Sequence, residues 1–234
     1  MIDRPTNVIT AGRTEVTNAF MRGVYVWMAI GLGITAFFAY ATINTEALFR
    51  FVFSSQYVFL GLIIAELALV FILSASIHKL SSFAATSMFV AYSVLNGITL
   101  SAVLLVYTSQ SVFTAFLTTA GMFGAMSIYG LVTKRDLTGM GSFMMMGLFG
   151  IIIAMVVNMF VGSNTLDLGI SALGVIIFLG LTAFDTQALR NMGESAPMDD
   201  ALAIRRGTIM GALKLYLDFI NIFLMLLRLF GDRR

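Results

Sequence analysis

From about residue 23 the chain alternates long apolar stretches with short polar breaks. The stretches cover 23–43, 57–77, 83–107, 111–132, 140–162, 167–189 and 208–230. Each is close to the roughly 20 residues that a helix needs to cross a hydrocarbon core. Lipid offers the backbone no hydrogen bonds, so continuous apolar runs of this length predict seven membrane-spanning helices. The breaks are NTEALFRFVFSSQ, HKLSS, TSQ, TKRDLTG and GSNTLD, with one longer segment, NMGESAPMDDALAIRRG. Such short links favour antiparallel neighbours in a bundle. The pattern predicts an all-α integral membrane protein, with one seven-helix domain over 23–234 behind a polar segment, 1–22.

Composition points the same way: 59% hydrophobic and 11% charged residues leave too little polar surface to cover a water-soluble globule. The lipid bilayer is therefore the expected surroundings. There is no cysteine, which excludes disulfides, thiol redox chemistry and thiolate metal sites. The net charge of +2 is spread over connecting segments without a dense basic tract, which argues against nucleic acid as a partner. The first twenty residues, MIDRPTNVITAGRTEVTNAF, lack the apolar core of a secretory signal and read as a retained, mobile tail.

Cytoplasmic loops are enriched in Lys and Arg, so their placement orients the bundle. The N-terminal side collects Arg4, Arg13, Arg22, Lys79, Lys134, Arg135, Arg190, Arg205 and Arg206, against Arg50, Arg228, Arg233 and Arg234 on the other. This predicts a cytoplasmic N-terminus.

Four charges lie well inside the predicted spans, away from their ends: Glu66 in the second, Asp185 in the sixth, and Lys214 and Asp218 in the seventh. A charge at this depth costs about 2.5–3.5 kcal/mol on insertion scales, so each marks a candidate functional residue. In the last span Gly207, Gly211, Lys214, Asp218, Asn221, Met225 and Arg228 recur at steps of three and four. They form one stripe, which should face protein or trapped water and place this helix inside the bundle. Topology brings Asp185 and Asp218 into the cytoplasmic half, Asp218 about 15 Å from the start of its helix. His78 and Lys79 arrive at the same side, with Glu66 about 18 Å deeper. Two carboxyl groups sharing a low-dielectric site do not both ionise easily, so such a pair can switch with pH. Carboxylates are also the hard oxygen ligands that Ca²⁺ prefers, which makes Asp185 and Asp218 candidate Ca²⁺ ligands.

At these residues the sequence resembles a known family. GLTA followed by FDTQ at 184–187, together with LYLDFINIF at 215–223, is similar to the C-terminal signature of the Bax inhibitor-1 family, the transmembrane Bax-inhibitor-motif proteins. The short N-terminal segment and tight loops look like its bacterial branch, which implies the inner membrane. The resemblance implies six helices around a central C-terminal helix. It also implies a pH-sensitive calcium leak serving ion homeostasis and suppression of stress or cell death, with calcium ions and protons as partners. Carried over, Asp185 and Asp218 become the pH sensor and Glu66 matches a family acid in the second helix. The family's basic latch at the end of that helix falls on Lys79, where the family carries arginine.

Other readings stand beside this one. Lys214 precedes Asp218 by four residues on one face, so the two can form a local ion pair that leaves Asp218 structural. His78 reads more readily as a headgroup-level residue, and Glu66 equally as an interhelical hydrogen-bond acceptor. The GxxxG at Gly207–Gly211 permits close helix approach, and the methionines, including MMM at 144–146, read as packing filler. Intramembrane aspartyl proteases also carry two aspartates on adjacent helices, but their second follows a glycine-rich turn, whereas Leu215, Tyr216 and Leu217 precede Asp218. HExxH, GxSxG and GxxxxGK are absent, so neither an enzyme nor a cofactor is expected. A non-channel alternative is a regulatory protein that docks onto a membrane protease through its tail and the 191–207 loop.

Overall fold

The computed structural model describes residues 6–76, 80–195 and 201–234. Among them are eight helices: α1 Thr6–Asn44, α2 Glu46–Phe53, α3 Gln56–Ser76, α4 Ser82–Val106, α5 Ser109–Val132, α6 Thr138–Val161, α7 Asn164–Ser195 and α8 Ala201–Phe230. All except α2 are long and apolar enough to cross a membrane, which makes seven candidate spans. None of the described helices contains a proline, so no span loses a backbone hydrogen bond to a pyrrolidine ring.

Three boundaries differ from the apolar pattern. Helix α1 starts at Thr6, so the described part of the expected mobile tail is helical. Ala11, Glu15, Val16 and their neighbours are ordinary helix-compatible residues ahead of an apolar run, and propagation costs far less than nucleation. Helices α7 and α8 extend their spans to Ser195 and back to Ala201 for the same reason. The first break contains α2, whose exposed ends are joined by an Arg50–Glu46 ion pair one turn apart.

Local chemistry sets the other ends. Thr108, in extended conformation, caps α5 by accepting from the Ser111 amide at 3.2 Å. Helix α6 stops at Gly162, whose φ of 66° is the left-handed conformation that glycine adopts without a Cβ penalty.

The chain packs as two compact units: 1–105 with 189–213, and 106–188 with 214–234. In the first, Phe89 of α4 meets Trp27 of α1 edge-on at 6.5 Å, and the Thr35 hydroxyl donates to the Ser93 carbonyl at 2.9 Å. Gly207 faces Phe20 and Met192, while Gly211 faces Leu189 and Val24, so the GxxxG packs within its own chain. In the second unit Phe219 of α8 meets Phe116 and Phe123 of α5 edge-on at 5.4 and 5.6 Å.

Burial separates the spans. In α8, 72% of the most apolar stretch is buried, against 50% in α7 and 6% in each of α3 and α6. The last helix is therefore an inside helix, as its pattern led one to expect. Its polar stripe is split, however: Asp218 and Met225 are buried, whereas Lys214 and Arg228 are exposed. The partly open line runs through Lys214, Leu217, Asn221, Leu224 and Arg228, one residue away from the polar stripe at two positions. Of the methionine triplet, Met144 packs on Gly180 while Met145 and Met146 face outward, so only the first fills the core.

Candidate functional site

The site belongs to the second unit and grows from α7 and α8. On α7 the four residues 184–187 each have a separate contact. Phe184 lies flat against Gly141 of α6, where any Cβ would collide with the ring. Thr186 packs on Gly130 of α5, and its hydroxyl lies 3.5 Å from that of Ser127. Gln187 accepts from the Leu137 amide and donates to the Arg135 carbonyl, both at 2.8 Å. These bonds satisfy two backbone groups of the α5–α6 connection, at buried Leu137 and at Arg135.

Asp185, held between these anchors, is mostly buried and accepts from Lys214 Nζ at 3.3 Å. The lysine side chain is 45% exposed and the aspartate 14%, so the ammonium snorkels while the carboxylate stays inside. Asp218 lies one turn further along α8, is 5% exposed, and its Oδ2 is buried without a hydrogen-bond partner. It feels both the Asp185 carboxylate and the Lys214 ammonium, so the three charges form one electrostatic group. The local Lys214–Asp218 pair that the spacing offered is replaced by a pair between helices. The exposed Lys214 ammonium meets Asp185, whose side chain is 14% exposed, rather than the more deeply buried Asp218.

Two carboxylates and one ammonium leave one carboxylate with no counter-charge of its own. Such a group can take up a proton or a passing cation, because either replaces a missing partner at a desolvated oxygen. Among the described residues no three His, Cys, Asp or Glu side chains converge as a metal cage.

Glu66 belongs to the first unit and has its own partners. Thr99 Oγ1 donates to Oε1 at 2.5 Å and Asn96 Nδ2 reaches Oε2 at 3.5 Å. The expected latch residues His78 and Lys79 lie outside the described residues.

At the other end of α8, Arg228 Nη1 approaches Asp167 Oδ1, in the first turn of α7, at 3.6 Å. Beyond it, the last residues pair with the α4–α5 connection: Arg234 N donates to Val106 O at 2.9 Å and Thr108 N to Asp232 O at 3.1 Å. Neither Gln187 nor Asp167 stands out in the sequence, because a glutamine near a helix end and an acid at a helix start are both ordinary. The only available signal was the position of Gln187 inside the FDTQ motif. Asp136, in the α5–α6 connection, accepts from the Thr138 amide at 2.9 Å and hydroxyl at 2.6 Å, which holds its carboxyl below the usual range.

Comparison with known proteins converges on one group. The family model described as "Inhibitor of apoptosis-promoting Bax1" matches residues 17–234. An inner membrane protein of Escherichia coli K12, YbhL, is 51% identical over 215 residues, covering 92% of each chain. An uncharacterised protein of Borreliella burgdorferi is 46% identical over 219 residues, covering 94% of each. An uncharacterised membrane protein of Streptococcus pyogenes serotype M1 is 38% identical over 218 residues, covering 92% of this chain and 93% of the other.

Proposed function

Because this chain belongs to the Bax inhibitor-1 family of membrane proteins, we propose that it is a pH-sensitive calcium leak of the inner membrane, with a cytoplasmic N-terminus. The observation that carries this reading is the Lys214–Asp185 ion pair at 3.3 Å beside the buried, unpartnered Oδ2 of Asp218. The reading is of a conductance, without catalysis or a resident cofactor.

In the closed form the Lys214 ammonium occupies the place where a cation would meet Asp185. A calcium ion entering the site competes with it for carboxylate oxygen, and Asp218 adds the second charge that a divalent ion needs. Calcium takes six to eight oxygens, so two carboxylates make a weak, partly hydrated stop that an ion can also leave. Protonating the pair removes both the attraction for calcium and the charge that holds the lysine. Conductance is thereby tied to the protonation state of the two aspartates. Lys214 takes the part that the family pattern assigned to Lys79. An ammonium makes a point contact rather than a bidentate one, which suits a latch that opens readily.

The test is calcium flux into dye-loaded proteoliposomes of the purified chain, stepped from about pH 8 to about pH 6 across the range in which such a pair can titrate. Asp185→Asn and Asp218→Asn are run in parallel. The expected result is flux that changes with pH in the wild type and loses that change in both variants. No flux above empty liposomes at any pH removes the leak and leaves the aspartates structural or partner-binding.

A further inference from the structure

A cavity of about 350 Å³ lies in the first unit between the starts of α4 and α8. It is lined by Ser82, Phe83, Thr86, Leu202 and Arg205. Its two sides differ in chemistry. Ser82 and Thr86 sit one turn apart on α4, and the Ser82 Oγ is buried without a hydrogen-bond partner. Arg205 faces them from α8, its guanidinium 4.8 Å from the centroid of the Trp27 ring, a contact that orients the cation. The rim is apolar and open: Phe83 is 83% exposed and Leu202 59%.

The cavity's height in the membrane follows from the spans. Ser82 and Leu202 are the first residues of two candidate spans, and both helices start on the same side of an alternating bundle. The cavity therefore lies at headgroup level, with Phe83 and Leu202 bordering the hydrocarbon. A planar guanidinium and an unspent hydroxyl both favour phosphate oxygens. An adjoining apolar rim favours a phosphate that carries acyl chains.

We infer that this cavity binds the phosphate headgroup of an anionic phospholipid, with Arg205 and Ser82 on the phosphate and Phe83 and Leu202 against the chains. The site is independent of the aspartate pair and of the leak reading. It would fix the starts of α4 and α8 at the membrane surface.

The full chain, purified in detergent, is titrated with phosphatidylglycerol or phosphatidylcholine, and bound lipid is counted by native mass spectrometry. Wild type should prefer phosphatidylglycerol by about fivefold, the effect of one basic residue at an anionic surface. Arg205→Gln should bring the ratio to about one. Ser82→Asp should do the same by setting a carboxylate against the phosphate, while an acid in the first turn of α4 favours the helix and keeps the fold. If Arg205→Gln does not fold, Ser82→Asp decides. Equal binding of the two lipids by wild type, or an unchanged preference in Ser82→Asp, overturns the inference. Inorganic phosphate at millimolar concentration should leave the lipid bound; full displacement would make this a free-anion site and also overturn it.

Discussion

Lys214 reaches across to Asp185 of α7 at 3.3 Å instead of along its own helix to Asp218. The contact couples the last two spans at the level of their buried charges. Replacing Lys214 by Gln should therefore raise calcium flux, because the latch is gone while both carboxylates stay. In a double-mutant cycle, Lys214→Gln and Asp185→Asn together should cost less stability than the sum of the two alone. The coupling expected is about 1 kcal/mol, modest because the lysine is nearly half exposed. Denaturation in detergent measures it, and strict additivity would show that the pair is energetically idle.

Gln187 satisfies two backbone groups of the α5–α6 connection with one amide. Gln187→Leu leaves the Leu137 N–H and the Arg135 carbonyl without those partners and should destabilise the chain by about 1–3 kcal/mol. Hydrogen exchange at the Leu137 amide should speed up in this variant. Gln187→Glu keeps the acceptor for Leu137 and should retain protection there while losing the bond to Arg135. Unchanged exchange in Gln187→Leu would remove the glutamine from its proposed positioning role.

Gly141 and Gly139 stand two residues apart at the start of α6 and make opposite predictions. A methyl group at Gly141 collides with the Phe184 ring, next to Asp185, whereas one at Gly139 meets nothing within 4 Å. Gly141→Ala should cost about 1–3 kcal/mol through displaced packing and should also disturb the flux of calcium. Gly139→Ala should be neutral or stabilising by up to about 1 kcal/mol, through the better helix propensity of alanine. Thermal unfolding of the two variants side by side separates packing from propensity.

The C-terminal residues are held by Arg234 N to Val106 O, Thr108 N to Asp232 O and Asp232 N to Ser111 Oγ. Gly231 sits so close to the Tyr107 ring that it admits no side chain. The full chain should resist carboxypeptidase, and deletion of 232–234 should lower stability by about 1–3 kcal/mol, the worth of two or three such bonds. Rapid trimming of the intact chain would show the end to be free in solution.

The seven spans were legible in the sequence because lipid imposes a local rule: each backbone amide must be satisfied within its own helix, so length and apolar character suffice. The same rule makes intramembrane charges conspicuous, which is how Glu66, Asp185, Lys214 and Asp218 stood out before any contact was known. It also exposed α8 as an inside helix, since a lipid-facing helix would not carry two of them.

Which charge meets which was not legible. The spacing of Lys214 and Asp218 invited a local pair, and only the packing of α7 on α8 within the second unit turned the ammonium to Asp185. The role of Gln187 depends on a loop about 50 residues earlier in the chain, and the fit of Phe184 depends on a glycine of another helix. The splitting of the polar stripe on α8 into buried Asp218 and exposed Lys214 follows from its neighbours, not from its own periodicity. The sequence by itself thus determined the solvent, the helices and the set of charges, because each is settled by residues within one segment. The tertiary structure alone decided how the charges are partnered, because side-chain direction and interhelical distance depend on segments that the chain brings together only on folding.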